Sequence, residues 1–194
     1  MRLSPPFPEL YYNRGDLRLV TGDREGAFAD FDYVLELDPE SVEALVSRAG
    51  LHLEDGDISA ARRDVTAGLL LDGDNPYLHT LLGQVHTANG DFDLAVAAFD
   101  LAISADPGLE EAWACRGEAL FEAGSTRDAL VSLDRALEIR ENAALLFNRA
   151  IARQADGQWA GALADLKRAH QLEPADEEVA AAMEHCRKQV TRHG

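Results

Sequence analysis

Apolar residues in this chain recur three and four positions apart in short stretches, and each stretch ends at a glycine or a proline. One stretch begins at Pro76 and is broken by Asn89-Gly90-Asp91, and its apolar members are Leu78, Leu81, Leu82 and Val85. A second stretch runs from Leu94 to Ile103 and stops at Asp106-Pro107. This spacing places apolar side chains on one face of a helix, glycine favours a left-handed helix cap, and proline cannot extend a helix. The pattern therefore predicts two short helices joined by a tight turn.

This two-helix pattern recurs along most of the chain. Small residues mark it in three series of five, with a spacing of 34 residues and a single spacing of 33 in each series. The series are Gly15, Ala49, Gly83, Gly117 and Ala150; Ala27, Ala61, Ala95, Ala129 and Ala162; and Gly22, Gly56, Gly90, Gly124 and Gly157. Such a period indicates stacked helical hairpins that share one continuous core rather than several separate domains.

At these positions the chain resembles the tetratricopeptide repeat family, whose units carry aromatic residues, Leu-Gly, Ala, Phe and Pro at fixed offsets. The matching residues in the first unit are Tyr11, Gly15, Gly22, Ala27, Phe31 and Pro39. Those in the fourth unit are Trp113, Gly117, Leu120, Gly124, Ala129, Leu133 and Ala136. Gly73 and Glu141 depart from the family's closing proline. The resemblance implies an all-α fold, a right-handed α-solenoid of five helical hairpins with a C-terminal capping helix.

The repeat register predicts the organisation of the chain. The five hairpins are expected at residues 8–41, 42–75, 76–109, 110–142 and 143–176. Residues 1–7 form an N-terminal extension that Pro5 and Pro6 hold extended, and residues 177–194 form a capping helix and tail. Acidic residues begin this last segment and basic residues end it, as the helix dipole favours.

Composition narrows the classes of protein to which the chain can belong. Hydrophobic residues make up 46% of the chain without a long apolar run, and the first residues lack the apolar stretch of a secretory signal. We therefore expect a cytoplasmic protein that does not bind a membrane. Cys115 and Cys186 are far apart in sequence and are expected to be free thiols.

The family resemblance implies a concave groove, lined by the first helix of each hairpin, in which extended peptides or partner helices bind. Of the thirty groove positions that the family pattern defines, seven are acidic and none is basic. The predicted peptide-binding residues are Glu9, Tyr12, Asn13, Asp16, Glu43, Ser47, Glu54, Tyr77, Thr80, Gln84, Glu111, Cys115, Glu118, Phe121, Glu122, Phe147 and Asn148.

Charge suggests the ligand of this groove. The net charge is −17, so an acidic groove could be only a solvated surface. The lack of Lys and Arg at groove positions nevertheless favours a basic or amphipathic peptide, anchored by aromatic residues and steered by carboxylates. Nucleic acid is not an expected partner, because phosphate binding requires a basic stripe. The chain is expected to be a scaffold or adaptor that binds another protein.

Other ligands and roles compete with this one. Some family members clamp a partner's C-terminal carboxylate with Lys, Arg and Asn in the groove. Asn13 and Asn148 match the Asn, but Glu43, Tyr77 and Glu111 stand where cations are needed, so tight binding of acidic tails is not expected. Alternatively, a basic C-terminal tail could enter the groove of a neighbouring copy and form a homo-oligomer; its residues are Arg187, Lys188, Arg192 and His193. The chain could also be a non-catalytic accessory subunit of an enzyme.

Arginine and aspartate vary together among the repeats. Arg lies sixteen residues before Asp in three units, and in the third unit Leu82 and Ala98 occupy both sites. The pairs are Arg14 with Asp30, Arg48 with Asp64, and Arg149 with Asp165. We predict an ion pair across each of these hairpins. Arg116 faces Ser132 at this offset, and Asp134 is its predicted carboxylate partner.

No set of catalytic residues, metal ligands or cofactor-binding residues is predicted. Cys115 shares a helix stripe with three glutamates but with no histidine. His79 and His86 occupy positions that pack in the core of the family. Asp72-Gly73-Asp74-Asn75 resembles the start of a calcium loop, but the following Pro76 and Tyr77 do not fit one, so a turn is expected.

Overall fold

In the computed structural model the described residues, 7–193, form eleven α-helices and no strand. The helices are α1 (Pro8–Val20), α2 (Arg24–Leu37), α3 (Val42–Glu54), α4 (Ile58–Leu71), α5 (Pro76–Ala88), α6 (Phe92–Ala105), α7 (Glu110–Glu122), α8 (Thr126–Ile139), α9 (Ala143–Ala155), α10 (Trp159–Leu172) and α11 (Glu177–His193). The predicted all-α helical-repeat fold is confirmed. Pro5 and Pro6, predicted to be extended, lie outside the described residues, as do Gly194 and the side chain of His193.

Local sequence signals mark where these helices begin and end. Side chains of Asp23, Ser41, Asp57, Asn75 and Asn142 each accept a hydrogen bond from a backbone N–H in the first turn of the following helix. The turn within every hairpin contains a glycine with φ between 74° and 81°. Residues with a β-carbon rarely adopt this left-handed conformation. The third series of small residues in the sequence, which consists entirely of glycine, therefore corresponds to the turns.

Each hairpin is held together by a small residue on its first helix that faces a large residue on its second. A Cβ added to Gly15 would lie 2.7 Å from the Cε1 atom of Phe31, and one added to Gly117 would lie 2.8 Å from the Cγ atom of Leu133. In the second and fifth hairpins alanine occupies the small position, and it faces Val65 or Leu166, which are fully buried. We therefore expect the combined size of the residue pair to set how closely the two helices approach.

Successive hairpins stack so that the odd-numbered helices line one side of the molecule. Every helix packs against the next helix in the chain. Among the described residues, the substantial contacts between non-consecutive helices join α3 to α5, α5 to α7 and α7 to α9. The stack therefore bends toward the odd-numbered helices, and their exposed side chains form the inner face of the solenoid.

The stack ends with α11, which packs on α10 in the way that the first helix of a further hairpin would. Val179 and Cys186 of α11 are buried against α10 and α9. None of the described helices has the length and apolar character needed to cross a membrane.

The predicted ion pairs across the hairpins are confirmed. The Arg14 guanidinium donates to both carboxylate oxygens of Asp30 at 2.8 and 2.5 Å. The Nε and Nη2 atoms of Arg48 lie 2.8 and 2.7 Å from the carboxylate oxygens of Asp64. The corresponding contacts of Arg149 with Asp165 are 2.9 and 2.7 Å. In each pair the carboxylate is buried. The guanidinium therefore replaces the hydrogen bonds from water that the carboxylate loses on burial.

The prediction that Asp134 is the carboxylate partner of Arg116 was wrong. Arg116 donates to Asp100 of α6 at 2.7 Å and to the Ser132 hydroxyl at 2.7 Å, whereas Asp134 contacts Arg149 at 2.6 Å. The reason is that α7 packs between α6 and α8, so its arginine reaches the preceding hairpin as well as its own second helix.

The Arg116 contact belongs to a second set of ion pairs, which join neighbouring hairpins. Arg48 donates to Asp32 at 2.8 Å, as Arg116 does to Asp100 and Arg149 to Asp134. Asp32 and Asp100 lie sixteen residues before Arg48 and Arg116. The sequence therefore contained a signal for these pairs, with the aspartate sixteen residues before the arginine instead of after it. Each of these arginines therefore connects the two helices of its own hairpin and also connects that hairpin to the preceding one.

Candidate functional site

Two pockets lie along the inner face that the odd-numbered helices form. The N-terminal pocket has a volume of about 480 Å³, and its lining residues are Leu19, Gly22, Arg24, Val46, Ser47, Gly50, Leu51, Glu54, Tyr77, Thr80, Leu81 and Glu111. The C-terminal pocket has a volume of about 500 Å³, and its lining residues are Thr87, Gly117, Glu118, Phe121, Glu122, Leu133, Phe147, Asn148, Ile151 and Glu178.

Ten of the predicted groove residues line these pockets, and they divide evenly between the two. Ser47, Glu54, Tyr77, Thr80 and Glu111 lie at the N-terminal pocket. Glu118, Phe121, Glu122, Phe147 and Asn148 lie at the C-terminal pocket. Seven predicted residues line neither pocket, and these are Glu9, Tyr12, Asn13, Asp16, Glu43, Gln84 and Cys115.

The N-terminal pocket contains a cation that the groove pattern did not predict. Arg24 lies in the first turn of α2 and contacts the carboxylates of Glu54 and Asp55, the latter at 2.9 Å. It also donates to the Leu51 carbonyl oxygen at 2.8 Å. The groove pattern covers only the first helix of each hairpin, and Arg24 belongs to a second helix. The charge of Glu54 is therefore compensated within the protein.

Several polar side chains of the inner face already have hydrogen-bond partners within the protein. The buried Thr80 hydroxyl donates to the Pro76 carbonyl oxygen at 2.8 Å. The Gln84 amide lies 3.1 Å from Glu111 Oε1 and 3.4 Å from Cys115 Sγ. Tyr12 and Ser47 share a hydroxyl contact of 3.4 Å. The hydrogen-bonding capacity of these groups is therefore partly satisfied within the protein.

Burial raises the pKa of the Cys115 thiol to about 12, and the neighbouring Glu118 and Glu111 charges act in the same direction. The thiol is therefore protonated at neutral pH, and a protonated thiol is neither a good nucleophile nor a metal ligand. Within residues 7–193, no group of three or more His, Cys, Asp and Glu side chains is placed to hold a metal ion.

The C-terminal pocket combines an apolar floor with carboxylates and has no Lys or Arg among its lining residues. The floor consists of Phe121, Leu133, Phe147 and Ile151. Glu118 Oε1 accepts a hydrogen bond from the Asn148 amide at 2.7 Å. Burial raises the pKa of Glu118, and the bond from Asn148 only partly opposes this. The pocket thus holds carboxylates beside partly buried aromatic side chains.

The third carboxylate of this pocket, Glu178, was not predicted. It belongs to α11, for which the sequence predicted a capping helix with a basic tail but no residue of this chain's own groove. The signal was present in the repeat period, because Glu178 lies 34 residues after Ala144 and so occupies a groove position of a sixth first helix, but the groove pattern was applied only to the five hairpins.

A sequence model of the tetratricopeptide repeat matches residues 12–65 and 51–110, which together are about half of the chain. The chain belongs to the tetratricopeptide repeat family. This family fold supports protein–protein interaction in general. No curated protein sequence matches the chain.

Solved tetratricopeptide repeat structures share the fold at low sequence identity. A thermophilic tetratricopeptide repeat protein of Thermus thermophilus has a TM-score of 0.81 at 18% identity, with 93% of this chain and 98% of that chain covered. One from Parabacteroides merdae has a TM-score of 0.75 at 21% identity, with 93% and 71% covered. YrrB, described as having an unusual peptide-binding site, has a TM-score of 0.65 at 22% identity, with 90% of each chain covered. These likenesses establish the fold.

Proposed function

We propose that this tetratricopeptide repeat protein is a non-catalytic adaptor whose inner groove binds a basic, amphipathic segment of another protein. The observation that carries the proposal is the C-terminal pocket, where Glu118, Glu122 and Glu178 surround an apolar floor and none of the lining residues in the described part of the chain is a cation. Such a pocket favours a ligand that presents a positive charge and an apolar side chain together.

The two pockets would contribute differently to binding. In the C-terminal pocket, a cation on the ligand would compensate Glu118, whose raised pKa indicates an environment less favourable to its charge than water. In the N-terminal pocket, Arg24 already compensates Glu54, so Val46, Tyr77 and Leu81 would supply mainly apolar contacts. The ligand is therefore expected to be more basic at the end that meets α7 and α9. The unusual peptide-binding site described for YrrB shows that a protein of this fold can bind peptides, which supports the proposal.

A charge-matched pair of variants tests which face binds the ligand. With a fluorescein-labelled peptide of Arg, Leu and Ala, Glu118→Gln/Glu122→Gln should weaken binding about tenfold, since two partly screened charge contacts together contribute about 1.4 kcal/mol. The control is Glu36→Gln/Glu138→Gln, which removes the same charge from the exposed surfaces of α2 and α8. Fluorescence anisotropy at several salt concentrations measures both. Equal weakening by the two variants would mean that only net charge matters and would contradict the groove proposal.

The raised pKa of Glu118 predicts how binding depends on pH. A cationic ligand prefers the ionised carboxylate, so affinity is full at pH well above the raised pKa and falls as the pH decreases through it. This loss should begin above the ordinary glutamate pKa of about 4.3. In Glu118→Gln, the part of the affinity loss that occurs at the higher pH values should disappear. Neither pocket has a histidine among its lining residues that could produce the same pH dependence. If wild type and Glu118→Gln have the same affinity profile between pH 7 and 5, Glu118 does not contact the ligand.

A second copy of the chain is the alternative ligand in this proposal. Arg187, Lys188 and Arg192 are exposed near the end of α11, and Arg187 and Lys188 approach Glu184 at 3.6 and 3.7 Å. Truncation after Ala182 would remove the buried Cys186 together with these residues and damage the core, so Arg187→Gln/Lys188→Gln/Arg192→Gln is the better variant. Sedimentation analysis would favour self-assembly if an oligomer of the wild type disappeared in both this variant and Glu118→Gln/Glu122→Gln.

A further inference from the structure

The outward face of α1 differs from the same face of every later first helix. Leu10 and Leu17 are 65% and 63% exposed. The residues at the corresponding positions of the four later hairpins are at most 3% exposed. Those that correspond to Leu10 are Ala44, Leu78, Ala112 and Leu145, and those that correspond to Leu17 are Leu51, Val85, Ala119 and Ala152. These later residues are covered because the first helix of each later hairpin packs on the second helix of the preceding hairpin. The surface of Leu10 and Leu17, here called the α1 face, lacks such a helix among residues 7–193.

A charged residue on the α1 face lacks the same neighbour. Arg48, Arg116 and Arg149 each bind a carboxylate of the preceding hairpin, and their side chains are 18–23% exposed. Arg14 occupies the corresponding position, is 51% exposed, and binds the carboxylate of Asp30 within its own hairpin. The α1 face therefore presents apolar side chains and an arginine in the arrangement that elsewhere in this chain receives an aspartate-bearing helix.

We propose that the α1 face docks an aspartate-bearing amphipathic helix of a partner protein, in the way that α2, α6 and α8 pack on the helices that follow them. The interfaces inside this chain define the chemistry of that helix. It carries a carboxylate midway along its length, opposite Arg14, as Asp32, Asp100 and Asp134 do within the chain. Apolar residues on the same side would cover Leu10 and Leu17. This surface is separate from the inner groove, and its ligand would contribute a carboxylate where that of the groove contributes a cation.

A second copy of this chain fits the α1 face poorly. Two α1 faces brought together by a two-fold axis would oppose Arg14 with another Arg14, without the carboxylate that each later arginine has. The outward side of α11 presents Ala181, Glu184 and Lys188, which do not match two exposed leucines. A partner with its own aspartate-bearing helix satisfies both the charge and the apolar surface.

The test uses the full chain and a fluorescein-labelled synthetic peptide that copies residues 123–140, the α8 segment that contains Asp134. This peptide has equal numbers of acidic and basic residues, so the acidic groove should not attract it strongly. Saturable binding is expected by fluorescence anisotropy. Leu10→Gln/Leu17→Gln should weaken it at least about tenfold through lost apolar burial. The control Leu70→Gln/Leu101→Gln alters two leucines that are similarly exposed elsewhere, on α4 and α6, and should leave binding unchanged.

A double-mutant cycle isolates the charged contact. Arg14→Gln in the protein and an Asn in place of Asp134 in the peptide should each weaken binding about fivefold, and the two together should weaken it little more. The groove variant Glu118→Gln/Glu122→Gln should bind this peptide normally, so the result is independent of the proposed groove function.

Four outcomes would overturn the proposal. They are no saturable binding, equal weakening by the Leu70→Gln/Leu101→Gln control, loss of peptide binding in the groove variant, and additive losses in the cycle. A dimer of the wild type that Leu10→Gln/Leu17→Gln abolishes would make a second copy the occupant instead.

Discussion

Asp165→Ala is expected to lower the free energy of unfolding by about 3 kcal/mol, because it leaves two guanidinium groups without their buried partner. Asp165 receives Arg149 through two bonds at 2.9 and 2.7 Å and Arg153 through one at 2.6 Å. Breaking a fully buried pair costs about 3–5 kcal/mol, and the partial exposure of both arginines places this case at the lower end. Urea denaturation followed by far-ultraviolet circular dichroism measures the change.

The matching variants separate the ion pair from general damage to the core. Arg149→Ala should also destabilise, and Arg149→Ala/Asp165→Ala should lose much less than the two single losses combined. The same cycle with Arg48 and Asp64 in the second hairpin should give the same sign of coupling. Additive losses in both hairpins would mean that the pairs seen in the structure contribute no coupling energy.

Gly83→Ala should lower the free energy of unfolding by about 2–3 kcal/mol, although alanine is the better helix former. The added Cβ would lie 2.6 Å from the Cζ atom of Phe99 and 2.7 Å from its Cδ1 atom. Phe99 is fully buried, so its ring cannot move away without disturbing the packing around it. Thermal and urea denaturation should both report the loss.

A second-site change should reverse this effect. Phe99→Val in the Gly83→Ala background recreates the alanine and valine of the second hairpin, Ala49 and Val65, and should recover most of the lost stability. Gly50→Ala is the control, because a Cβ at Gly50 would meet nothing within 4 Å and should stabilise α3 by up to about 1 kcal/mol. If Phe99→Val adds its own full loss to that of Gly83→Ala, pair size does not set the helix spacing.

The repeat fold was predictable because its signals are local and occur five times. A glycine in the turn, a small residue on the first helix and apolar spacing along both helices each reflect backbone or nearest-neighbour constraints. The Arg14, Arg48 and Arg149 ion pairs were predictable for a related reason, since each joins two helices of the same hairpin at a constant offset.

Predictions that needed the packing between hairpins were less successful. Arg116 was assigned Asp134 within its own hairpin, but its carboxylate partner is Asp100 of the preceding one. The groove was taken to lack cations, but Arg24 enters from a second helix and binds Glu54. Glu178 reaches the C-terminal pocket from the cap. All three residues depend on how one hairpin is placed against the next.

The sequence by itself determined that this chain is a stack of helical hairpins, where its turns lie and which residues pair inside a hairpin, because those features follow from backbone preference and helical spacing. Only the tertiary structure decided which carboxylates remain without a cation and which apolar residues remain uncovered. Leu10 and Leu17 look like core residues in the repeat pattern, yet they are exposed because burial depends on the helix that packs against them. Charge compensation and burial arise between hairpins, and the relative placement of hairpins is a property of the whole stack.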